Sequence, residues 1–240
     1  MSTRSNRVAV ARVCESVLHE YEFHGAIALR SALDRKYTQL GEASRAVLRR
    51  VAIFPGEFTL EAASEVAIHG EFRKAEILGS VVELQANSLV ESRGEEGSIR
   101  YRLPLKTRAF ALTKLSSNSE LDSAARRHAE YLQHVFEDAE VLLDRQVATH
   151  WIANYGRLID DVRAALDWAF SPTGDPCIGV GLTVAAIPLW ILSSRPDELC
   201  CRIERALESK AAATHSAREM QLRAAARLAG MTVPAKTRLM

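Results

Sequence analysis

Apolar residues recur at helical spacing along most of this chain, and a short stretch near its middle drops to a spacing of two. Residues 8–33 read as a helix, because Val10, Val13, Val17, Leu18 and Tyr21 fall on one face, with Gly25 as a point of interruption. Beyond residue 33 the pattern sharpens. Leu40, Val47, Leu48 and Val51 form an apolar stripe, while Arg45, Arg49 and Arg50 are expected to project elsewhere. Pro55-Gly56 stops that helix, since proline disfavours helical geometry in the residue before it and glycine permits a sharp turn. Thr59 then reads as an N-cap whose hydroxyl accepts from a free backbone N–H, with Phe58 before it as a hydrophobic staple. Leu60, Ala63 and Ala67 are expected to face inward and Gly70 to end the segment. A third helix is expected over residues 72–86, with Ile77, Leu78, Val81 and Leu84 on its apolar side.

The spacing of two follows. Residues 88–92 and the alternating run Ile99-Arg100-Tyr101-Arg102-Leu103 read as strands joined by the polar turn Arg93-Gly94-Glu95-Glu96-Gly97. Pro104 closes this hairpin, and Leu105, Ala109, Leu112 and Leu115 make a helix that returns to the core. Three helices, a hairpin and a closing helix are the succession of a winged helix. Ser116-Ser117-Asn118-Ser119 is the clearest linker. After it Trp151, Tyr155, Leu158, Ile159, Val162, Leu166 and Ala169 keep helical spacing, a break at residues 171–176 precedes an uncharged helix, and a second at 195–197 precedes helices over residues 198–213 and 217–228. Successive helices with short polar turns suggest a tetratricopeptide-like array, although the tryptophan-glycine-tyrosine positions of that repeat are not met cleanly. The expected fold class is therefore mainly α: a winged helix with a small two-stranded wing, then an all-helical, tetratricopeptide-like region. The expected domains are an N-terminal helical segment over residues 1–30, the winged helix over 31–117, and a truncated helical region over 118–240.

Composition changes this picture little. Of 240 residues 48% are hydrophobic and 25% charged, ordinary for a globular protein with a real core. The formal net charge of +1 supplies no global field towards nucleic acid or an anionic membrane. Cys14, Cys177, Cys200 and Cys201 form no C-x-x-C, so reduced cysteines in a cytoplasmic protein are expected, and the start Met1-Ser2-Thr3-Arg4 has no signal-peptide core behind it. Residues 176–194 carry no charge, yet a spanning helix wants about 20 predominantly apolar residues, and this stretch contains Gly179, Gly181 and Pro188. A buried helix is expected there, not a membrane span.

No catalytic constellation is legible. A P-loop needs glycine followed by lysine, and none of the twelve glycines is. His19 and His24 stand five residues apart, about 140° around a helix, so they cannot form the H-E-x-x-H zinc site. No G-x-S-x-G occurs. Asp160, Asp161 and Asp167 read as the solvent face of an amphipathic helix. The expectation is a protein that is not an enzyme and has no catalytic, cofactor or metal residues.

The middle of the chain nonetheless resembles a known family. The segment Tyr37-Thr38-Gln39-Leu40-Gly41-Glu42, the run Leu48-Arg49-Arg50-Val51-Ala52-Ile53-Phe54-Pro55-Gly56-Glu57-Phe58-Thr59-Leu60-Glu61-Ala62-Ala63, then Tyr101-Arg102-Leu103 and Arg126-Arg127-His128-Ala129-Glu130-Tyr131, are similar to the winged-helix region of bacterial STAND-class signal-transduction ATPases. Asp161-Val162-Arg163-Ala164-Ala165-Leu166-Asp167-Trp168-Ala169 fits the same pattern. Glu57 stands where that family often has a second glycine. In the family a DNA-binding effector domain and a P-loop ATPase precede this region and helical repeats follow it, so the chain resembles an internal fragment. The resemblance implies a regulatory module that packs against a protein partner or a separate ATPase domain. The alternative is a DNA-binding winged helix. The third helix offers Glu71, Arg73, Lys74, Glu76 and Glu83, a net of −1, which suits a DNA groove poorly. Basic residues gather only on the wing and the helix after it, so Arg100, Arg102, Lys106 and Arg108 are the candidate nucleic-acid contacts, with Lys114 further along.

Overall fold

The stripe Val47, Leu48 and Val51 is the centre around which the first half of the protein is built. The computed structural model describes residues 23–67, 74–94, 99–143, 147–209, 211–212 and 216–228. The expectations for residues 8–22, for Gly70, for helix at 72–73, for the turn at 95–98 and for Cys14 and His19 lie outside the described residues. The chain divides into two compact units, residues 1–128 and 129–240.

In the first unit, α1 (Phe23–Gln39), α2 (Glu42–Val51), α3 (Leu60–Ala67) and α4 (Lys74–Ala86) precede a hairpin of β1 (Glu91–Arg93) and β2 (Arg100–Arg102), followed by α5 (Leu105–Ser117) and the first turns of α6 (Leu121–Leu143). Helix α2 touches α3, α4 and α5. Its Val47, Leu48, Val51 and the following Ala52 are buried, as are Ala63 and Val66 of α3, Ile77, Val81 and Leu84 of α4, and Ala111 and Leu115 of α5. Each of the valine, leucine and isoleucine side chains among them contributes about 1.5–3 kcal/mol when fully removed from water. Thr59 caps α3 as its sequence predicts, its Oγ1 accepting from Ala62 N at 3.1 Å. The strands are antiparallel, with Glu91 opposite Arg102, Ser92 opposite Tyr101 and Arg93 opposite Arg100. Phe58 joins them by a single bridge, exchanging two 2.8 Å backbone hydrogen bonds with Tyr101. The mainly helical class with one early two-stranded hairpin is thus what the chain adopts.

Several side chains sit where the spacing did not place them. Arg49 and Arg50 are buried at 6% and 7% exposure instead of projecting outward. Leu60 and Ala109 are half-buried, and Leu78 and Leu105 are exposed. For α4 the reason is geometric: Ile77, Ser80, Val81 and Leu84 already fill the i, i+3, i+4, i+7 stripe, and Leu78 is rotated off it. Helix α1 runs unbroken through Gly25 and past residue 30. Residues 116–119 are the tight end of α5, and the division into compact units falls later, inside α6.

The second unit holds the rest of α6, then α7 (Ala148–Tyr155), a 3-10 turn at Gly156–Leu158, α8 (Ile159–Ala169), α9 (Pro176–Ala185), α10 (Ile187–Leu192), α11 (Pro196–Glu208) and α12 (Ser216–Leu228). The uncharged stretch thus becomes two short helices, and among the described residues no helix is long and apolar enough to cross a membrane. Helix α9 touches α8, α11 and α12, which is why it carries no charge. Asp175 caps it by accepting from Cys177 N at 3.0 Å, with Pro176 in its first turn. Gly179 lets the Phe170 ring lie on the helix, since a Cβ there would come within 2.7 Å of it. Phe136, Trp151 and Tyr155 cluster in this core, and the Trp151 indole N–H donates to Ala139 O at 2.9 Å. The expected solvent face of α8 needs correction. Asp160 and Asp167 are exposed but ion-paired, the first to Arg163 and the second to Arg202 and Arg205 of α11, whereas Asp161 is buried.

Three helices end in the same unusual way. Ser88, Ser119 and Ser194 have φ of 56°, 57° and 55°, the left-handed region that glycine favours. After each, the next N–H reaches back five residues: Leu89 to Leu84 O at 2.9 Å, Glu120 to Leu115 O at 3.2 Å and Arg195 to Trp190 O at 3.0 Å. These are Schellman ends built on serine. A left-handed non-glycine residue costs about 1–2 kcal/mol, part of which glycine returns as chain entropy in the unfolded state. Ser119→Gly and Ser194→Gly should therefore each stabilise their unit by roughly 0.5–1 kcal/mol, while alanine at either position gives no gain, measured by urea unfolding.

Candidate interaction surface

Helix α4 is the third helix of the succession expected from the sequence, and its described side chains include, besides the exposed Glu76 and Gln85, an exposed aliphatic stripe. Ala75, Leu78, Gly79, Val82 and Ala86 are all exposed and follow one another at i, i+3, i+4, i+7 and i+11. Leu78 is 45% and Val82 57% exposed, and a Cβ added at Gly79 would meet nothing within 4 Å. The acids of this helix are used differently from one another. Glu76 is exposed. Glu83 turns to the start of α2, where its carboxylate accepts from the Ser44 hydroxyl and, at 3.5 Å, from Gly41 N, so it compensates the free N–H groups of that helix end. Gln85 Nε2 donates to Ser92 Oγ at 2.8 Å and ties α4 to the wing. Arginine, lysine, asparagine or glutamine reaching base edges is what direct readout requires, and the described outward face has none but Gln85.

The four basic residues singled out from the sequence separate into distinct roles. Arg108 points into the unit: its Nε donates to Ala52 O at 3.0 Å and to Phe54 O at 2.7 Å, closing the end of α2 and the loop after it. Arg102 pairs with Glu91 across the wing, Nη2 to Oε2 at 3.2 Å. Arg100 stands opposite Arg93, which the sequence reading placed in the turn but which is the last residue of β1. The alternation by two would have found it, because Glu91, Arg93, Arg100 and Arg102 share one face while Ser92 and Tyr101 share the other. Lys106 is exposed on the first turn of α5.

Behind this surface lies a buried charge cluster. Glu120 accepts from Arg49 through both oxygens, at 3.1 Å from Nε and 3.0 Å from Nη2, and from Arg50 Nη2 at 3.4 Å. Arg49 Nη1 also donates to the Tyr37 hydroxyl at 2.6 Å. Arg50 Nη1 and Arg127 Nη1 hold the last carbonyls of α3, Ala67 O at 2.7 Å and Val66 O at 3.2 Å, a cationic cap at the negative end of that helix. Burial alone would raise the Glu120 carboxyl, but the hydrogen bonds and charge of Arg49, with Arg50 behind it, outweigh that and hold it below its ordinary value. Among the described residues no three His, Cys, Asp or Glu side chains are grouped to hold a metal ion.

The described surface sets an aliphatic stripe of α4 beside a small antiparallel hairpin, and the comparisons with known proteins are compatible with a regulator. No protein-family profile matches the chain, and no solved structure matches it significantly. Inferred HTH-type transcriptional regulators of Mycobacterium tuberculosis and Mycobacterium bovis are 30% identical over 162 residues, covering 68% of this chain but only 18% of their own length. An uncharacterised protein of Mycobacterium tuberculosis is 36% identical over 90 residues, 37% of this chain and 23% of that protein. The chain is thus distantly similar to a limited region of much longer regulators.

The lowered carboxyl of Glu120 gives a pH signature. Because its folded value lies below the unfolded one, its stabilisation is fully present above the unfolded value of about 4.3 and is lost as pH falls through the folded value. Glu120→Gln should destabilise the first unit by about 2–3 kcal/mol at pH 7 by leaving Arg49 without its carboxylate, and should flatten the acid limb of a stability-versus-pH curve below about pH 4.5.

Proposed function

We propose that this chain is a non-catalytic regulatory module that acts by packing against another protein, in the manner of the winged-helix region of STAND-class ATPases. The observation that carries this reading is the aliphatic outward face of α4, with Leu78 and Val82 about half exposed where a DNA-reading helix would present hydrogen-bonding groups. An apolar stripe left in water favours burial against a second apolar surface. The similarity to HTH-type regulators supports the general setting, and the small share of those proteins covered suits a part that works beside other domains. A protein partner or a separate P-loop ATPase domain is the occupant that fits. The chain itself offers no phosphate cradle, since no glycine precedes a lysine.

Two measurements check this. A P-loop ATPase region of a STAND-class regulator from the same genome, titrated into the full chain, should bind, and Leu78→Asp with Val82→Asp should weaken that binding at least tenfold while leaving the helical circular dichroism unchanged. Both sites already face water, so folding is spared. Binding indifferent to these substitutions would overturn the docking face, and micromolar ATP binding by the chain alone in calorimetry would overturn the non-catalytic reading.

A further inference from the structure

Two neighbouring features of the first unit each lack a partner. Helix α4 leaves an aliphatic stripe in water, with Leu78 45% and Val82 57% exposed. Gly79 lies on that stripe inside the helix, where glycine weakens the backbone, and a Cβ added there would meet nothing within 4 Å. Its bare backbone lets a second helix come close. The other feature is on the hairpin. Arg93 and Arg100 are direct cross-strand partners, and like charges in that relation destabilise a two-stranded ribbon. The next pair is neutral, Glu91 answering Arg102 at 3.2 Å, and among the described residues no carboxylate pairs with Arg93 or Arg100. The two features meet. Gln85, at the end of the stripe, donates to Ser92 Oγ at 2.8 Å, so the stripe ends against the residue that precedes the exposed Arg93. β1 is also the free edge of the ribbon, since β2 is bridged to Phe58.

We infer that the stripe and the arginine pair are one docking site, and that its occupant is an amphipathic helix of a partner protein with carboxylates at the end lying over the hairpin. This rests on the docking reading of α4 and adds the partner's chemistry. Apolar residues at i, i+3, i+4 and i+7 are the spacing that receives the anchors of another helix. Charge complementarity chooses its end: guanidinium forks take carboxylates through paired hydrogen bonds, and an acid between Arg93 and Arg100 relieves their repulsion, whereas a basic helix would add to it. From Ala75 to Ala86 the stripe is about 17 Å long, so a helix of about sixteen residues covers it and reaches the hairpin.

The test is selection of binders to the full chain from a displayed library of such helices, on an alanine-rich frame with one face and both ends randomised. Recovered helices should carry Leu, Ile, Met or Phe at i, i+3, i+4 and i+7, and Asp or Glu at one end. Titrated by fluorescence anisotropy, they should bind Arg93→Ala with Arg100→Ala at least tenfold more weakly, a variant whose thermal stability is unchanged or raised. Converting the end acids of the helix to amides should cost as much with the unaltered chain, and Leu78→Asp with Val82→Asp should abolish binding. Helices lost with the Leu78 and Val82 changes but indifferent to the arginine changes would overturn this inference and leave the docking face of α4 standing. Helices indifferent to both sets of changes, or no enrichment at all, would overturn both. A DNA duplex bound through the same two arginines more tightly than the best helix would overturn it as well and assign the pair to phosphate.

Discussion

One carboxylate holds two buried guanidinium groups, and the first unit is arranged around that fact. Glu120 follows the end of α5, Arg49 and Arg50 lie on α2, and through Arg50 the cluster reaches the last carbonyl of α3. Taking an arginine out of water costs several kcal/mol unless its donors are met, so these groups fix the positions of three helices at once. Hydrophobic burial supplies the driving force, but it is tolerant of small slides between helices. The bidentate contact of Arg49 with Glu120 is not, and Tyr37 extends it to α1.

The sequence made the order of elements legible because apolar periodicity and turn residues are local. Thr59 and Pro104 stand where those signals put them. The hairpin expected from strands at residues 88–92 and 99–103 forms over the shorter Glu91–Arg93 and Arg100–Arg102, with Arg93 in a strand instead of the turn. What it did not reveal depends on partners distant in the chain. Nothing beside Arg49 announces Glu120, which lies 71 residues away, and the same holds for Arg108 with Ala52 and Phe54. Arg108 accordingly looked like a surface cation. Leu78 looked like core because a fourth apolar residue on α4 is ambiguous until the other helices take their places. The helix ends at Ser88, Ser119 and Ser194 were hidden for another reason: glycine is the usual mark of a left-handed terminus, and serine carries no such mark.

The charge count along the third helix took in Glu83, which the structure uses elsewhere. Glu83 belongs to the start of α2, where its carboxylate accepts from Ser44 and Gly41, and not to the outward face. The second unit uses charge in a further way. Arg163 of α8 grips Glu198 of α11, whose carboxyl is held below its ordinary value chiefly by that hydrogen bond, and Arg202 and Arg205 grip Asp167 in return. Such partly exposed pairs add little stability singly, but they fix how the two helices are set against each other around α9.

The placement of the aromatic residues has an optical consequence. All three tryptophans, Trp151, Trp168 and Trp190, fall in the second unit, and two of them are fully buried, whereas Tyr37 and Tyr101 belong to the first. Intrinsic emission excited at the red edge of the spectrum is therefore blind to the winged helix and sees only the helical unit. Far-ultraviolet circular dichroism sees both. The two signals, followed together, show directly whether the units melt as one body or in sequence.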